Sequence, residues 1–355
     1  MSNIKPYIEQ VGKVIESNGR FEHVMALTLN PMKGNEEGLV RCIVNREGEV
    51  GTYGYVDKSQ IFKIHGESLE HFVVTNRLEM KNEHEILERV IVHMNQEEGV
   101  WEYLGHEDPD IWNDDKTGLV HVYFTMPFLE RESRRMLINL GHAVGKNLDS
   151  LEMTMPVLLH ASGASREKGV LDVAKELSIA PMNTKEFRYN LIESADVRDG
   201  IWYSTVRVVI ARDMGSGWEM GDVVFHPLEE GVFWAGEHAS PGPLFPESFI
   251  NLGKGRVLGI LNGREVSDRT GATILYRDFS PGLFIYNYEE GKIEWVSPVP
   301  LLRDSEAKTI TFASDFVETK EGFGILYAHV DDSFVRAYTL SADGIRALIP
   351  ERFQM

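Results

Sequence analysis

Five stretches of this chain open on a glycine, run through apolar residues and close on a polar one. They are residues 38–45, 118–125, 200–207, 255–262 and 322–329. A strand that stays apolar along its length is covered on both faces. Each stretch follows a turn and another short run, as in Glu107-Asp108-Pro109-Asp110-Ile111-Trp112 before Gly118. A strand–turn–strand unit recurring five times points to a β-propeller, with strand starts converging on one central pocket. The expected fold is therefore all-β, a five-bladed β-propeller with short helical insertions, and residues 1–355 form one domain. The closing residues of the five stretches, Asn45, Thr125, Arg207, Asn262 and His329, stand in register. They are expected at strand tips, facing solvent or a site.

Charge narrows the partners. With 36 basic and 55 acidic residues the net charge is −19, which argues against nucleic acid and anionic membranes, whose phosphates need a basic face. A neutral substrate such as a sugar is compatible with it. No apolar run reaches the roughly 18 residues of a membrane span, and the first residues lack an apolar signal core, so a cytoplasmic enzyme is expected. The single cysteine, Cys42, excludes an internal disulfide and reads as a buried, inert thiol. The 12 histidines show no metal-ligand spacing, and neither a metal nor a cofactor is expected. Residues 253–259 have the wrong spacing for a dinucleotide loop, and 162–165 do not form a nucleophile elbow.

Along the chain, residues 5–16 read as a short helix and Val24–Leu29 as the first strand. A further strand is expected over 50–56, a helix over 83–94 from its apolar spacing, and a strand over 136–144. Residues 166–179 read as an amphipathic helix inserted between the second and third blades, and 343–355 as a last strand or closing segment.

Two acids carry the candidate chemistry. Asp108 and Glu193 occupy matching places in neighbouring repeats, and glycoside cleavage needs two carboxyl groups flanking the scissile bond. Pro109 restricts Asp108 to extended backbone and so aims its side chain. The nearby charges of Glu107 and Asp110 favour the protonated form that a general acid requires. Asn30, Glu247 and Asp315 hold the matching places in the other three repeats. Asp332, Arg207, Asn45, Arg46, Asn262 and His329 are candidates to hold substrate, and Trp112 to stack on a pyranose face. Each of these residue types also serves ordinary structure, as ion pairs or inter-blade core.

These residues resemble the five-bladed propeller glycosidases, glycoside hydrolase families 43, 32 and 130, over roughly residues 20–345. Family 130, the β-mannoside phosphorylases and mannosidases, is most similar. Glu107-Asp108-Pro109 matches its Glu-Asp-Pro-Arg motif, whose Asp is the proton donor, although Asp110 stands in place of the Arg. The resemblance implies sugar binding by an Asp in 328–333 and a phosphate contact at Arg207, while Asn262 stands where the family has a His that helps bind phosphate. Asn30-Pro31 stands where family 43 has its base, and Glu193 where that family keeps its acid.

The function expected is hydrolysis of a glycosidic bond in the central funnel, β-mannoside-like or related, with inversion, Asp108 as acid and Glu193 as base or as the group that positions water. The alternatives are an inverting phosphorylase, with inorganic phosphate as a second partner, and a non-catalytic carbohydrate-binding propeller. The family 43 pattern exchanges the two carboxyl roles.

Overall fold

The computed structural model describes residues 8–48, 54–95, 100–159, 173–215, 217–270 and 273–354. The chain is all-β. Its innermost strands are β1 (Val24–Leu29), β2 (Glu107–Asp114), β3 (Lys175–Ser178), β4 (His238–Leu244) and β5 (Thr311–Lys320). Each opens an antiparallel meander. β1 is followed outward by Glu37–Glu47, Val56–Ser68 and His71–Arg77, and β2 by Leu119–Glu130, Met136–Gly145 and Glu152–Leu158. β3 leads to Arg188–Arg198, Ile201–Ala211 and Glu219–Phe225, and β4 to Arg256–Arg264, Phe279–Asn287 and Lys292–Val296. In strand pairing, a single parallel bridge, Ser204 to His238, links these last two units. The fifth unit, β5 with Phe323–Val330 and Phe334–Ser341, is completed by Ile8–Lys13 from the other end of the chain.

The innermost strands touch in cyclic order, β1 to β2, β3, β4, β5 and back to β1. The apolar core follows the same cycle, because each main cluster fills the gap between two neighbouring units. Leu39 and Ile61 meet Val120 and Phe124, Tyr123 and Leu140 meet Ile192 and Val209, and Leu191 and Val206 meet Leu261 and Phe284. Leu258 and Ile285 then meet Leu326 and Tyr338, and Tyr327 and Val335 meet Leu27 and Phe72. In Leu119–Glu130, Val122 and Phe124 face one neighbour and Tyr123 the other. That is why these strands lack apolar–polar alternation: both faces are buried.

Several expectations change. The N-terminal residues that read as a helix are strands, Ile8–Lys13 and Ile15–Glu16, and residues 1–7 lie outside the described part. Ile8–Lys13 pairs with Phe334–Ser341, so the strand that closes the ring comes from the N-terminus. The C-terminal residues that read as a last strand or closing segment form no strand but short helices, Ala342–Arg346 and Glu351–Phe353. Most of 50–56 is undescribed; the strand there is Val56–Ser68. The expected helix over 166–179 gives way to β3 over its final residues, while 166–172 and the 162–165 stretch lie outside the described part. Glu83–Met94 is a helix, as its spacing predicts, and buries Ile86, Val90 and Met94. Cys42 is fully buried, and burial pushes its thiol up to about 12. Among the described residues no helix is long and apolar enough to cross a membrane.

One shift of register matters for the site. Gly118, Gly255 and Gly322 precede the second strand of their units, and Gly38 lies within one, but Gly200 precedes the third strand of its unit. In the third unit the glycine-led stretch therefore lies one strand further out than in the others. Its innermost strand is the short β3, and Glu193 lies on the strand behind it, opposite Lys175.

Candidate active site

The five innermost strands surround a cavity of about 430 Å³. Each contributes to the wall: Ala26 and Thr28 from β1, Asp108 to Trp112 from β2, Glu176 to Ser178 from β3, Pro241 to Leu244 from β4 and Ala313 to Glu318 from β5. Carboxyl groups line it at Asp108, Asp110, Glu176, Asp315 and Glu318, and among the described residues no lysine or arginine does. Four residues lining the cavity hold left-handed backbone without being glycine: Ala26 at φ 50°, Asn35 at φ 64°, Asp108 at φ 43° and Glu176 at φ 52°. Such conformations cost of order 1–3 kcal/mol each and persist where surrounding structure enforces them. Pro109 therefore precedes an extended run, but Asp108 itself is not extended, contrary to the expectation from the Asp-Pro pair.

Asp108 is held by Arg41 from the neighbouring unit. The guanidinium donates through Nη1 to Asp108 at 3.0 Å, through Nη2 to Glu107 at 2.6 Å and through Nε to Ser59 at 2.8 Å. Ser59 also donates to Glu107 at 3.0 Å. The approach of the two units depends on Gly105, whose φ is 110° and where a Cβ would overlap the Ser59 carbonyl oxygen. Burial raises the Glu107 carboxyl to about 7, with Arg41 opposing and Asp108 adding to the rise. Asp110 is raised by burial and by the charges of Asp315 and Asp108.

A second polar cluster adjoins this one. Arg46 donates twice to Asp57, at 2.7 Å each, and once to the Asp332 carbonyl at 3.1 Å. The Asp332 carboxylate accepts from Tyr55 at 3.0 Å and pairs with His329 at 3.2 Å. Burial alone would raise it, yet His329, Arg41 and Tyr55 hold it down at about 2. His329 stacks on Phe312, with ring centroids 4.9 Å apart.

Glu193 is placed differently. It is 1% exposed and absent from the cavity wall. His238 pairs with it at 3.0 Å, Lys175 approaches to 3.5 Å and Ser240 donates a short hydrogen bond. Burial opposes its charge, but His238, Lys175 and Ser240 hold the carboxyl well below the usual range. A carboxylate so fully compensated has little affinity left for a proton. The expectation that Glu193 serves as base is corrected by its position, one strand behind the wall.

The other candidates divide similarly. Trp112 lines the cavity, flanked by Arg188 and His121. Asp315 lines it too, accepting from the backbone N–H groups of Leu29 and Phe316 at 2.7 Å each, and burial raises it to about 7. Asn30 sits beyond the far end of β1, where it accepts from Met32 and Asn113. Ala26, with its left-handed backbone, is the first-unit counterpart of Asp108. Asn262 is fully buried and exchanges two hydrogen bonds with the Ala313 backbone, tying two units together. Arg207 lies on the third strand of its unit and donates to the Gly221 carbonyl at 2.8 Å, away from the wall. Glu247 is exposed and accepts from Asn251, and Asn45 is exposed. Thr125 is buried mid-strand. Of the expected strand tips, Asn45, Thr125, Arg207 and Asn262 thus do not form a rim, and Glu247 stands apart from the cavity wall. Among the described residues no group of His, Cys, Asp and Glu side chains is arranged to hold a metal ion.

Glu176 escaped the sequence reading because Lys175–Ser178 is too short to show a strand period and adjoins a stretch with helical spacing. The available signal was spacing: an innermost strand was missing before Arg188–Arg198.

No family model matches this chain, and none of the curated proteins matches it. Solved structures do. A glycosyl hydrolase from Bacteroides ovatus is 16% identical with a TM-score of 0.59, covering 96% of this chain and 92% of its own. The β-1,2-mannobiose phosphorylase of Listeria innocua is 11% identical with a TM-score of 0.57, covering 98% and 94%. A protein described with the family 130 mannoside phosphorylases, which contain glycoside hydrolases targeting β-1,2-mannosidic linkages in Candida mannan, is 16% identical at 0.57, covering 90% and 84%. The chain shares their fold. At these identities the likeness extends over nearly the whole chain but concerns architecture alone.

Proposed function

We propose that the five units form a single-domain five-bladed β-propeller that cleaves a glycosidic bond, β-mannosidic or related, at its axial cavity. The observation that carries this reading is Asp108. It stands on an innermost strand in left-handed backbone, at the cavity wall, clamped by an arginine of the next unit. Its counterpart motif in the resembling family carries the proton donor, and the structures that share the fold include mannoside phosphorylases and glycoside hydrolases.

Asp108 supplies the proton to the leaving oxygen. Glu107 and Asp108 share one guanidinium, which fixes the Asp108 side chain at the wall, and burial raises the neighbouring Glu107 carboxyl to about 7. Water attacks from the opposite face, with inversion. Hydrolysis is favoured over phosphorolysis because the wall presents carboxyl groups and, among the described residues, no cation. Arg41 and Arg46 are committed to carboxylates, and Arg207 lies away from the wall.

Phosphorolysis is the second reading. It is favoured by Arg264, which with Arg277 lines a smaller pocket of about 130 Å³ and whose buried Nε has no partner. Turnover of β-1,2-mannobiose and of aryl β-D-mannosides, followed with and without inorganic phosphate, separates the two. Hydrolysis predicts cleavage that phosphate does not change. Strict phosphate dependence would establish the second reading, and no cleavage under either condition would leave a carbohydrate-binding propeller.

A further inference from the structure

We propose that Glu176 binds substrate as a carboxylic acid, one oxygen donating to a sugar hydroxyl and the other accepting from its neighbour. The site thereby selects an uncharged sugar with two adjacent hydroxyls on the face turned to β3. The inference rests on the reading of the cavity as a glycoside-cleaving site.

Position is the first observation. Glu176 and Asp108 lie on innermost strands that touch, both line the cavity and both hold left-handed backbone. Of the three cavity-lining residues on innermost strands with left-handed backbone, only these two carry a functional group; the third is Ala26. The second observation is the lack of a partner. Asp108, Glu193, Asp315 and Asp332 each accept protein hydrogen bonds, whereas Glu176 has no hydrogen bond or ion pair to any described residue. A partly buried carboxyl group left unpaired in a cavity costs stability unless a ligand completes it.

The charged groups around it settle which form it takes. Asp108 and Asp110 act on it from β2 and Glu193 from the strand behind β3, and among the described residues the cation acting on it, Lys175, approaches Glu193 to 3.5 Å. Burial and then Asp108 raise the Glu176 carboxyl well above its ordinary range, with Lys175 opposing. A neutral carboxyl group offers one O–H donor and a carbonyl acceptor, which matches a pair of hydroxyls and rejects an anionic group at that place.

The test uses Glu176→Gln, Glu176→Ala and the wild-type chain on 4-nitrophenyl β-D-mannoside and its monodeoxy analogues, with melting temperatures to confirm folding. Gln keeps one donor and one acceptor, so Glu176→Gln retains most of kcat/KM, and Glu176→Ala loses about tenfold or more. One monodeoxy analogue loses a similar factor with wild type and no further with Glu176→Ala. In wild type kcat/KM carries a decline on the alkaline side that Glu176→Gln lacks. Equal losses in both variants, or a deoxy penalty that persists in Glu176→Ala, would overturn the inference while leaving the glycosidase reading intact. If wild type cleaves none of the glycosides tested, the reading and the inference fall together.

Discussion

Asp108 and Glu193 are both acids that follow or sit within apolar runs, and both belong to the inner half of a unit. Their surroundings differ in kind. Glu193 lies in a regular strand, 1% exposed, with His238, Lys175 and Ser240 satisfying it. Asp108 lies in a strained turn of backbone at a cavity wall, held from one side by Arg41 and open on the other. A buried carboxylate surrounded by its own donors is part of the framework, because removing any partner strands a charge. A carboxyl group held in place yet facing open space is available to a ligand. Burial and charge alone do not distinguish the two cases; the direction in which valences remain open does.

The largest expected effect separates them by activity. Asp108→Asn keeps the shape and the contact with Arg41 but cannot donate a proton, and kcat should fall by about 10²–10⁴-fold. The loss should shrink for aryl glycosides with good leaving groups, which need less protonation. A uniform loss across leaving groups would remove Asp108 from the role of donor.

Next comes stability. Glu193→Leu leaves Lys175 and His238 without their carboxylate, and breaking a buried pair in this way costs about 3–5 kcal/mol. Chemical denaturation should show that loss, while Asp108→Asn unfolds near the wild-type midpoint. Wild-type stability in Glu193→Leu would place Glu193 outside the framework and reopen a catalytic role for it.

A smaller effect concerns pH. Burial raises the Asp315 carboxyl from 3.8 to about 7. The folded chain then binds more protons than the unfolded chain between those values, so this group's contribution is full at low pH and is lost as pH rises through about 7. In Asp315→Asn the dependence of unfolding free energy on pH should change by at most about 1.4 kcal/mol per pH unit across that window. An unchanged slope would mean that Asp315 ionises as an ordinary surface carboxylate.

The smallest effect is expected at Arg207. Its guanidinium bonds to the Gly221 carbonyl away from the cavity wall, so Arg207→Gln should leave kcat/KM and any response to phosphate unchanged. A selective loss of phosphate response would bring that strand back into the site.

Much of the architecture was legible in the chain. Apolar runs without alternation are the mark of strands covered on both faces, and the core clusters between neighbouring units show that coverage. The helix at Glu83–Met94 was legible from its spacing, and Asp108 from the repeat around Gly105 to Trp112. What the chain could not show was depth within a unit. The first and second strands of a meander are both apolar, and a four-residue strand such as β3 has no period to detect, so Glu193 took the place that belongs to Glu176. Closure of the ring was equally hidden, since Ile8–Lys13 pairs with residues more than 300 positions later and no local pattern encodes a partner that distant. Sequence by itself thus determined which residues are strands with two buried faces and which acid opens the second unit. Only the tertiary structure decided which carboxyl groups face the axis and which are enclosed, because that depends on donors brought from other units: Arg41 to Asp108, and His238 and Ser240 to Glu193.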